Sequence, residues 1–239
     1  MPADTDDRTL ALRRFYSVYQ FIVPALLFPV AYWLWWRRFG RAHDLALLVM
    51  VVPVVSYYLL VGLGVMRLRL WRFNTRPTIG GMRPHHGFVI STAAALFFYV
   101  CLRMVPVDHT GAASVVTAAF LGASVFGFWN WWYETYAVKS EFILIYTKQI
   151  AEGKTAEEAV TDYAPIFFGS MGACYGAFVK TAENVLLTGS NPVLYWSIAV
   201  VGGVSMIVVP VGVYMVVNRL RHGEWGLKSY VDVIEGRKT

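Results

Sequence analysis

The sequence predicts an all-α fold, a polytopic membrane helical bundle of about six transmembrane helices with a short cytoplasmic helical hairpin between spans four and five. Three observations predict it. Of the 239 residues, 57% are apolar and only 15% are charged, against about 45–50% and about 25% in soluble domains. The mean hydropathy is +0.49. The apolar surplus is collected into long runs, and about 20 such residues are what a helix needs to cross a bilayer.

Six runs qualify, at 15–36, 44–66, 87–107, 111–133, 165–187 and 193–218. Together they make residues 1–239 a single integral membrane domain. The first follows a charged stretch holding Asp4, Asp6, Asp7, Arg8, Arg13 and Arg14, with no short apolar core ending in a small-residue cleavage site. It is therefore read as a retained span and not as a secretory signal. Pro24, Pro29, Pro53 and Pro210 fall inside spans, where they kink the helix and leave carbonyls for neighbouring helices to satisfy.

Spans four and five carry small residues at packing intervals. Span four has Ala119, Ala123 and Gly127; span five has Gly169, Ala173 and Ala177, with Gly172 and Gly176 beside them. Such stripes let helix backbones approach closely. They predict that span four packs on span five, with a homo-oligomer or another membrane subunit on the span-five face as the alternative.

Two long connections remain, 67–86 and 134–164. In the second, Ser140–Glu152 reads as a continuation of span four that Gly153 stops. Thr155 and Glu158 form a capping box, each side chain satisfying the other residue's backbone donor. A short helix then runs to Pro165, where span five begins.

Orientation follows from Lys and Arg, which favour cytoplasmic loops. Residues 1–14, 67–86, 134–164 and 219–239 hold sixteen between them, against Arg37, Arg38 and Arg41 alone in the opposite joints. Both termini and both long connections are thereby assigned to the cytoplasmic side of the cell membrane. The Arg37/Arg38/Arg41 cluster is discordant, although Trp33, Trp35 and Trp36 beside it have the character of an interfacial belt. If that joint were cytoplasmic instead, the first run would be re-entrant or lie along the interface, leaving five true spans and an outside N-terminus.

The net charge is +6. Because the positives flank apolar spans, membrane lipids are the expected partners and nucleic acid is not. Cys101 and Cys174 lie within spans and form no disulfide framework, and no metal-ligand spacing or cofactor motif is present. No metal and no cofactor is therefore expected.

Ionisable groups within spans are costly, which makes each a functional hypothesis. Topology sorts them into two layers. At the cytoplasmic level, Arg83, His85 and His86 precede span three while Asn130, Trp131, Trp132, Glu134 and Tyr136 end span four. Asn130 and Glu134 share a helix face at four-residue spacing, and Glu141 continues it. Glu134, His86, His85 and Tyr136 are the candidate catalytic groups: a buried Glu can act as general acid, and His as a proton relay. Asn130, Arg83, Arg76, Trp131 and Trp132 are the candidate substrate-binding groups, the arginines for an anionic headgroup and the rings for a cation. At the outer level, Lys180 and Glu183 are three apart and able to pair, with Arg103 as a third intramembrane charge.

Three functions compete on this evidence. The first is a membrane-embedded enzyme acting on a lipid or isoprenoid-type substrate at the cytoplasmic interface. The second is a small transporter or ion or proton channel with Thr92, Thr117, Ser124 and Ser170 as stepping stones. The third is a non-catalytic subunit or assembly factor of a larger membrane complex. A concave pocket around Glu134, His86 and Arg83 favours the first; a continuous polar path from Glu134 to Glu183 favours the second.

Overall fold

The structure, a computed structural model, describes residues 7–189 and 191–236. It is 76% helical and nearly all-α. Its elements in order are α1 (Asp7–Arg38), α2 (His43–Val61) with a π-helical turn (Gly62–Arg67), β1 (Trp71–Phe73), α3 (His86–Leu102), α4 (Ala112–Lys139), β2 (Ile143–Ile145), α5 (Lys148–Ala151), α6 (Ala156–Leu186), α7 (Pro192–His222) and α8 (Val231–Gly236). The expected runs return as six long helices. Four of them, α1, α2 with its π-helical turn, α4 and α7, are long and apolar enough to cross a membrane. α3 is apolar but has only 17 residues, and α6 contains Lys180 and Glu183 as well as a charged first turn.

The helices alternate in direction. Arg38 at the end of α1 reaches Leu102 at the end of α3 and Glu183 near the end of α6. Tyr195 at the start of α7 donates to the Asp44 carbonyl at the start of α2. At the opposite end, Tyr16 of α1 packs on Tyr133 of α4, and Ser229, beyond α7, donates to the Arg69 carbonyl, beyond α2. The start of α1, the connections 67–86 and 139–156 and the C-terminal segment therefore share one end of the bundle. The outermost residues, 1–6 and 237–239, lie outside the described residues.

The expected helical hairpin is corrected to a ribbon. β1 and β2 pair antiparallel with Trp71 opposite Ile145, Arg72 opposite Leu144 and Phe73 opposite Ile143. α4 stops at Lys139, and Glu141 takes a left-handed φ of 53°. Phe142, Ile143 and Ile145 are buried, the β-branched and aromatic composition that suits a strand once a partner is present. That partner comes from 67–86, far away in sequence. The capping box forms as expected, with Glu158 N donating to Thr155 Oγ1 and Thr155 N to the Glu158 carboxylate. From it one helix runs unbroken through Pro165 to Leu186, so α6 starts nine residues before the expected span. The first helix likewise begins at Asp7 and not at residue 15.

α4 and α6 form the closest crossing. Gly122 faces Gly172 and Ala118 faces Gly176 backbone to backbone, while Gly127 lies against Gly169 and Pro165. A Cβ on Gly172 would penetrate the Gly122 carbonyl and stand 2.6 Å from the Phe126 Cβ. The small-residue face of α6 is thus turned onto α4, the intramolecular arrangement. Around it, Trp35, Met50, Phe98, Leu102, Phe126, Tyr175 and Phe178 fill the main core.

Gly172→Val forces these two backbones apart and is expected to cost about 3 kcal/mol, the upper end of ordinary overpacking. Gly212→Ala, with no atom within 4 Å of the added Cβ, is expected to stay within about 0.5 kcal/mol of the wild type. Unfolding in detergent micelles measures both; equal midpoints for the two variants would contradict the close crossing.

Candidate functional site

At the ribbon end, α2 and its π-helical turn, the ribbon, α3, α4, α6, α7 and the C-terminal segment line a partly open cavity of about 170 Å³. Its walls are mainly apolar, with Leu60, Leu63, Ile90, Ile145, Phe167 and Val211 among them. Such a cavity with a few convergent polar groups is the usual form of a small-molecule site. The convergent groups are Glu134 from α4, Tyr163 from α6, His86 from α3 and Tyr57 from α2.

Glu134 accepts a hydrogen bond from the Tyr163 hydroxyl at 3.0 Å. Among the described residues, no Lys, Arg or His lies within ion-pair distance of it. Tyr57 Oη, His86 Nδ1 and Thr147 Oγ1, all on residues that line the cavity, are buried without a hydrogen-bond partner. Buried polar atoms are rarely left in this state, so this wall has hydrogen-bonding capacity that the fold itself does not use. The π-helical turn also contributes Leu63 and Gly64 to the wall. Such turns cost helix stability and recur at functional sites.

The expected site residues separate into groups. Glu134 and His86 meet at the cavity. Asn130 instead donates to the Phe126 carbonyl at 3.0 Å and lines a second, smaller void of about 30 Å³ that it shares with Tyr19, Tyr133 and His86. His86 therefore stands between the two spaces. Arg83 does not reach the cavity. It is fully buried toward α1, with its guanidinium 5.3 Å from the ring centroids of both Phe21 and Phe142 and donating to Thr75 Oγ1 at 2.9 Å. His85 is stacked on Phe21 at 4.1 Å. Burial, reinforced by the Arg83 guanidinium, holds its imidazole below the usual His range, so it is neutral near pH 7. Arg76 is exposed at a cis Arg76–Pro77 bond.

Tyr136 and Trp132 are exposed and in tilted ring contact, 5.3 Å between centroids. Trp131 donates to Thr161 Oγ1 at 2.8 Å, tying α4 to α6. Glu141 lies beyond the end of α4 and is exposed. The tyrosine that engages Glu134 is thus Tyr163, which sequence reasoning missed, and not Tyr136, only two residues from Glu134 and pointing elsewhere on the helix. A signal for Tyr163 was present in the small-residue stripes. Glu134 lies seven residues beyond Gly127 and Tyr163 six before Gly169. An antiparallel crossing that joins the two glycines brings both side chains to the same level about two turns away.

At the far end, Lys180 and Glu183 pair as expected, with Nζ to Oε2 at 2.6 Å. The third charge is corrected: Arg103 is exposed, and Arg38 of α1 takes the place given to it. Arg38 Nε donates to Glu183 Oε1 at 2.7 Å and its terminal nitrogens reach the Leu102 and Val105 carbonyls. Lys180 Nζ also donates to the Pro106 carbonyl at 3.1 Å. The Lys180 and Glu183 side chains are wholly buried. This cluster laces α1, α6 and the α3–α4 connection together.

Among the described residues, the expected stepping stones do not link the two layers. The hydroxyls of Thr92, Thr117, Ser124 and Ser170 each donate to the carbonyl four residues earlier on their own helices. Phe98, Phe126, Tyr175 and Phe178 pack as one aromatic layer of the core between the two clusters. Among the described residues, no three His, Cys, Asp or Glu side chains converge on a point that would hold a metal ion. Comparison with protein-family models, with curated proteins and with solved structures finds no match for the chain.

Glu183→Gln leaves two buried cations without their carboxylate, and a cost of about 3–5 kcal/mol is expected. Replacing the whole cluster (Arg38→Met, Lys180→Met and Glu183→Leu together) is expected to recover most of that loss, because no charge is stranded. Thermal unfolding of the purified proteins decides it. A triple variant at least as damaged as the single one would show that the cluster does more than pair its own charges.

Proposed function

We propose that the chain is a multi-pass membrane protein of six spans with both ends on the cytoplasmic side, and that it acts on a lipid or isoprenoid-type substrate in the Glu134 cavity. The single observation that carries this reading is a carboxylate held by Tyr163 in a mainly apolar cavity at the ribbon end.

Six spans are supported by the six antiparallel long helices, and the orientation by the gathering of the Lys- and Arg-rich connections at one end. The discordant arginines are engaged locally: Arg38 is paired with Glu183, while the exposed Arg37 and Arg41 lie over the Trp33 and Trp36 rings. Membrane insertion also explains why Leu26, Phe120, Val200, Val204 and Val208 are exposed along the outer faces of α1, α4 and α7. Such surfaces are far larger than a soluble monomer presents.

In the cavity, Glu134 is the group that exchanges a proton with the substrate. Tyr163 fixes the carboxylate by donating to one of its oxygens, leaving the other to face the ligand. His86 and Tyr57 supply hydrogen bonds to the polar part of the substrate, and the apolar wall takes its hydrocarbon part. A transport reading has less support, because an aromatic layer separates the two charged clusters.

Lipid and metabolite profiling of a strain lacking the gene tests the reading. A lipid species is expected to accumulate and to be cleared by the wild-type gene. Glu134→Gln is expected to clear it more slowly by a factor on the order of 100 or more, the usual contribution of a positioned acid or base. Tyr163→Phe should fall between the two. Full complementation by Glu134→Gln, at equal protein level, would remove Glu134 from any chemical role.

A further inference from the structure

The wall of the cavity is not uniform. Most of it belongs to helices whose other faces are buried in the cores. One part is different: Glu224, Gly226, Leu227 and Lys228, which follow α7. From Arg219 through Gly236 no residue is buried. This segment covers a cavity while being only partly buried itself, the signature of a low-stability unit that can open alone.

Arg221 and His222 at the end of α7 pair with Asp162 of α6, the Tyr214 hydroxyl donates to the Gly226 carbonyl at 3.4 Å, and Tyr230 Oη donates to Glu224 at 2.9 Å within the segment. At the near end, Gly223 and Gly226 have left-handed φ values of 73° and 72°, and Asn218 Nδ2 donates to the Glu224 carbonyl at 2.7 Å. Gly226 rests on the Tyr214 ring so closely that a Cβ would stand 2.6 Å from its hydroxyl oxygen. At the far end, Tyr230 N donates to the Tyr146 carbonyl at 3.0 Å and Ser229 Oγ to the Arg69 carbonyl at 2.6 Å. Glu235 Oε1 accepts from the Tyr146 hydroxyl at 2.6 Å and pairs with Arg72 at 2.8 Å. Arg72 and Tyr146 both belong to the ribbon, at β1 and immediately after β2. The segment therefore runs from a glycine hinge, over the cavity, to a polar clasp on the ribbon.

We propose that residues 223–230 are a strap that closes the cavity toward the aqueous side, with the glycines as its hinge and the Glu235–Arg72–Tyr146 cluster as its clasp. Release of the clasp lifts Leu227 and Lys228 from the wall and opens the cavity without parting any helix pair. The proposal rests on the cavity and not on the chemistry assigned to Glu134, so its test reads access alone.

Leu60→Cys, in a background with Cys101 and Cys174 replaced by Ala, places one thiol in the cavity. Its rate of reaction with a water-soluble, charged methanethiosulfonate is measured on the full chain in detergent. Gly226→Ala cannot seat on Tyr214 and is expected to raise the rate at least fivefold. Arg72→Glu opposes Glu235 and is expected to raise it at least threefold. The exchange Arg72→Glu with Glu235→Arg is expected to restore the slow rate, which general loosening of the fold would not do. If Arg72→Glu does not yield folded protein, Glu235→Ala at the exposed end of the clasp takes its place. Equal rates in the intact and released proteins would overturn the strap and move the entrance to a cleft between helices. Lipid profiling with Glu134→Gln can fail while the labelling result stands, so the two failures are distinguishable.

Discussion

The contact of α4 with α6 on bare backbone is the constraint from which the rest of the molecule takes its geometry. Where Gly122 faces Gly172 and Ala118 faces Gly176, no side chain separates the helices, and one register is selected because others would drive a Cβ into a carbonyl. That register has consequences at both ends. Toward the ribbon, it brings Tyr163 to Glu134. Toward the far end, it leaves Lys180 and Glu183 where Arg38 of α1 can reach them. In lipid there is no hydrophobic force pressing helices together, so close packing and polar contacts must do it. This chain places the first in the middle of α6 and the second near its end.

The buried charges divide by how they are satisfied. The Arg38–Glu183–Lys180 cluster satisfies itself, with nearby carbonyls taking the remaining donors. It is best understood as a structural lace. Arg83 is held differently, between two phenyl rings and a threonine hydroxyl, and its surroundings lock the start of α3 to α1 and the ribbon. Glu134 has only a tyrosine. Half-buried at the cavity, it leaves most of its hydrogen-bonding capacity unspent, beside buried polar atoms in the same condition.

How much of this was legible depended on the range of the interaction concerned. The long helices were written in local hydropathy, and the Thr155–Glu158 cap in a four-residue pattern. The α4–α6 crossing was visible because glycine and alanine at helical spacing have few other uses within spans. The ribbon was not visible, since Ile143–Ile145 becomes a strand only by pairing with Trp71–Phe73, and nothing local marks those two stretches as partners. Arg38 was hidden for a related reason: it was counted with a loop, and its carboxylate lies 145 residues away. At the site, Glu134 and His86 followed from topology alone. Tyr163 needed the register of the crossing, and the C-terminal wall of the cavity needed coordinates.

The composition of α6 has a consequence for how the molecule is made. Helices such as α2 with its π-helical turn and α7 are long and apolar enough to cross a membrane on their own. α6 carries a lysine, a glutamate and a row of glycines that only become favourable against α1 and α4. Its stability is therefore coupled to its association with those two helices. α1 and α4 act as an internal template on which α6, with its buried charges and bare glycines, takes its place.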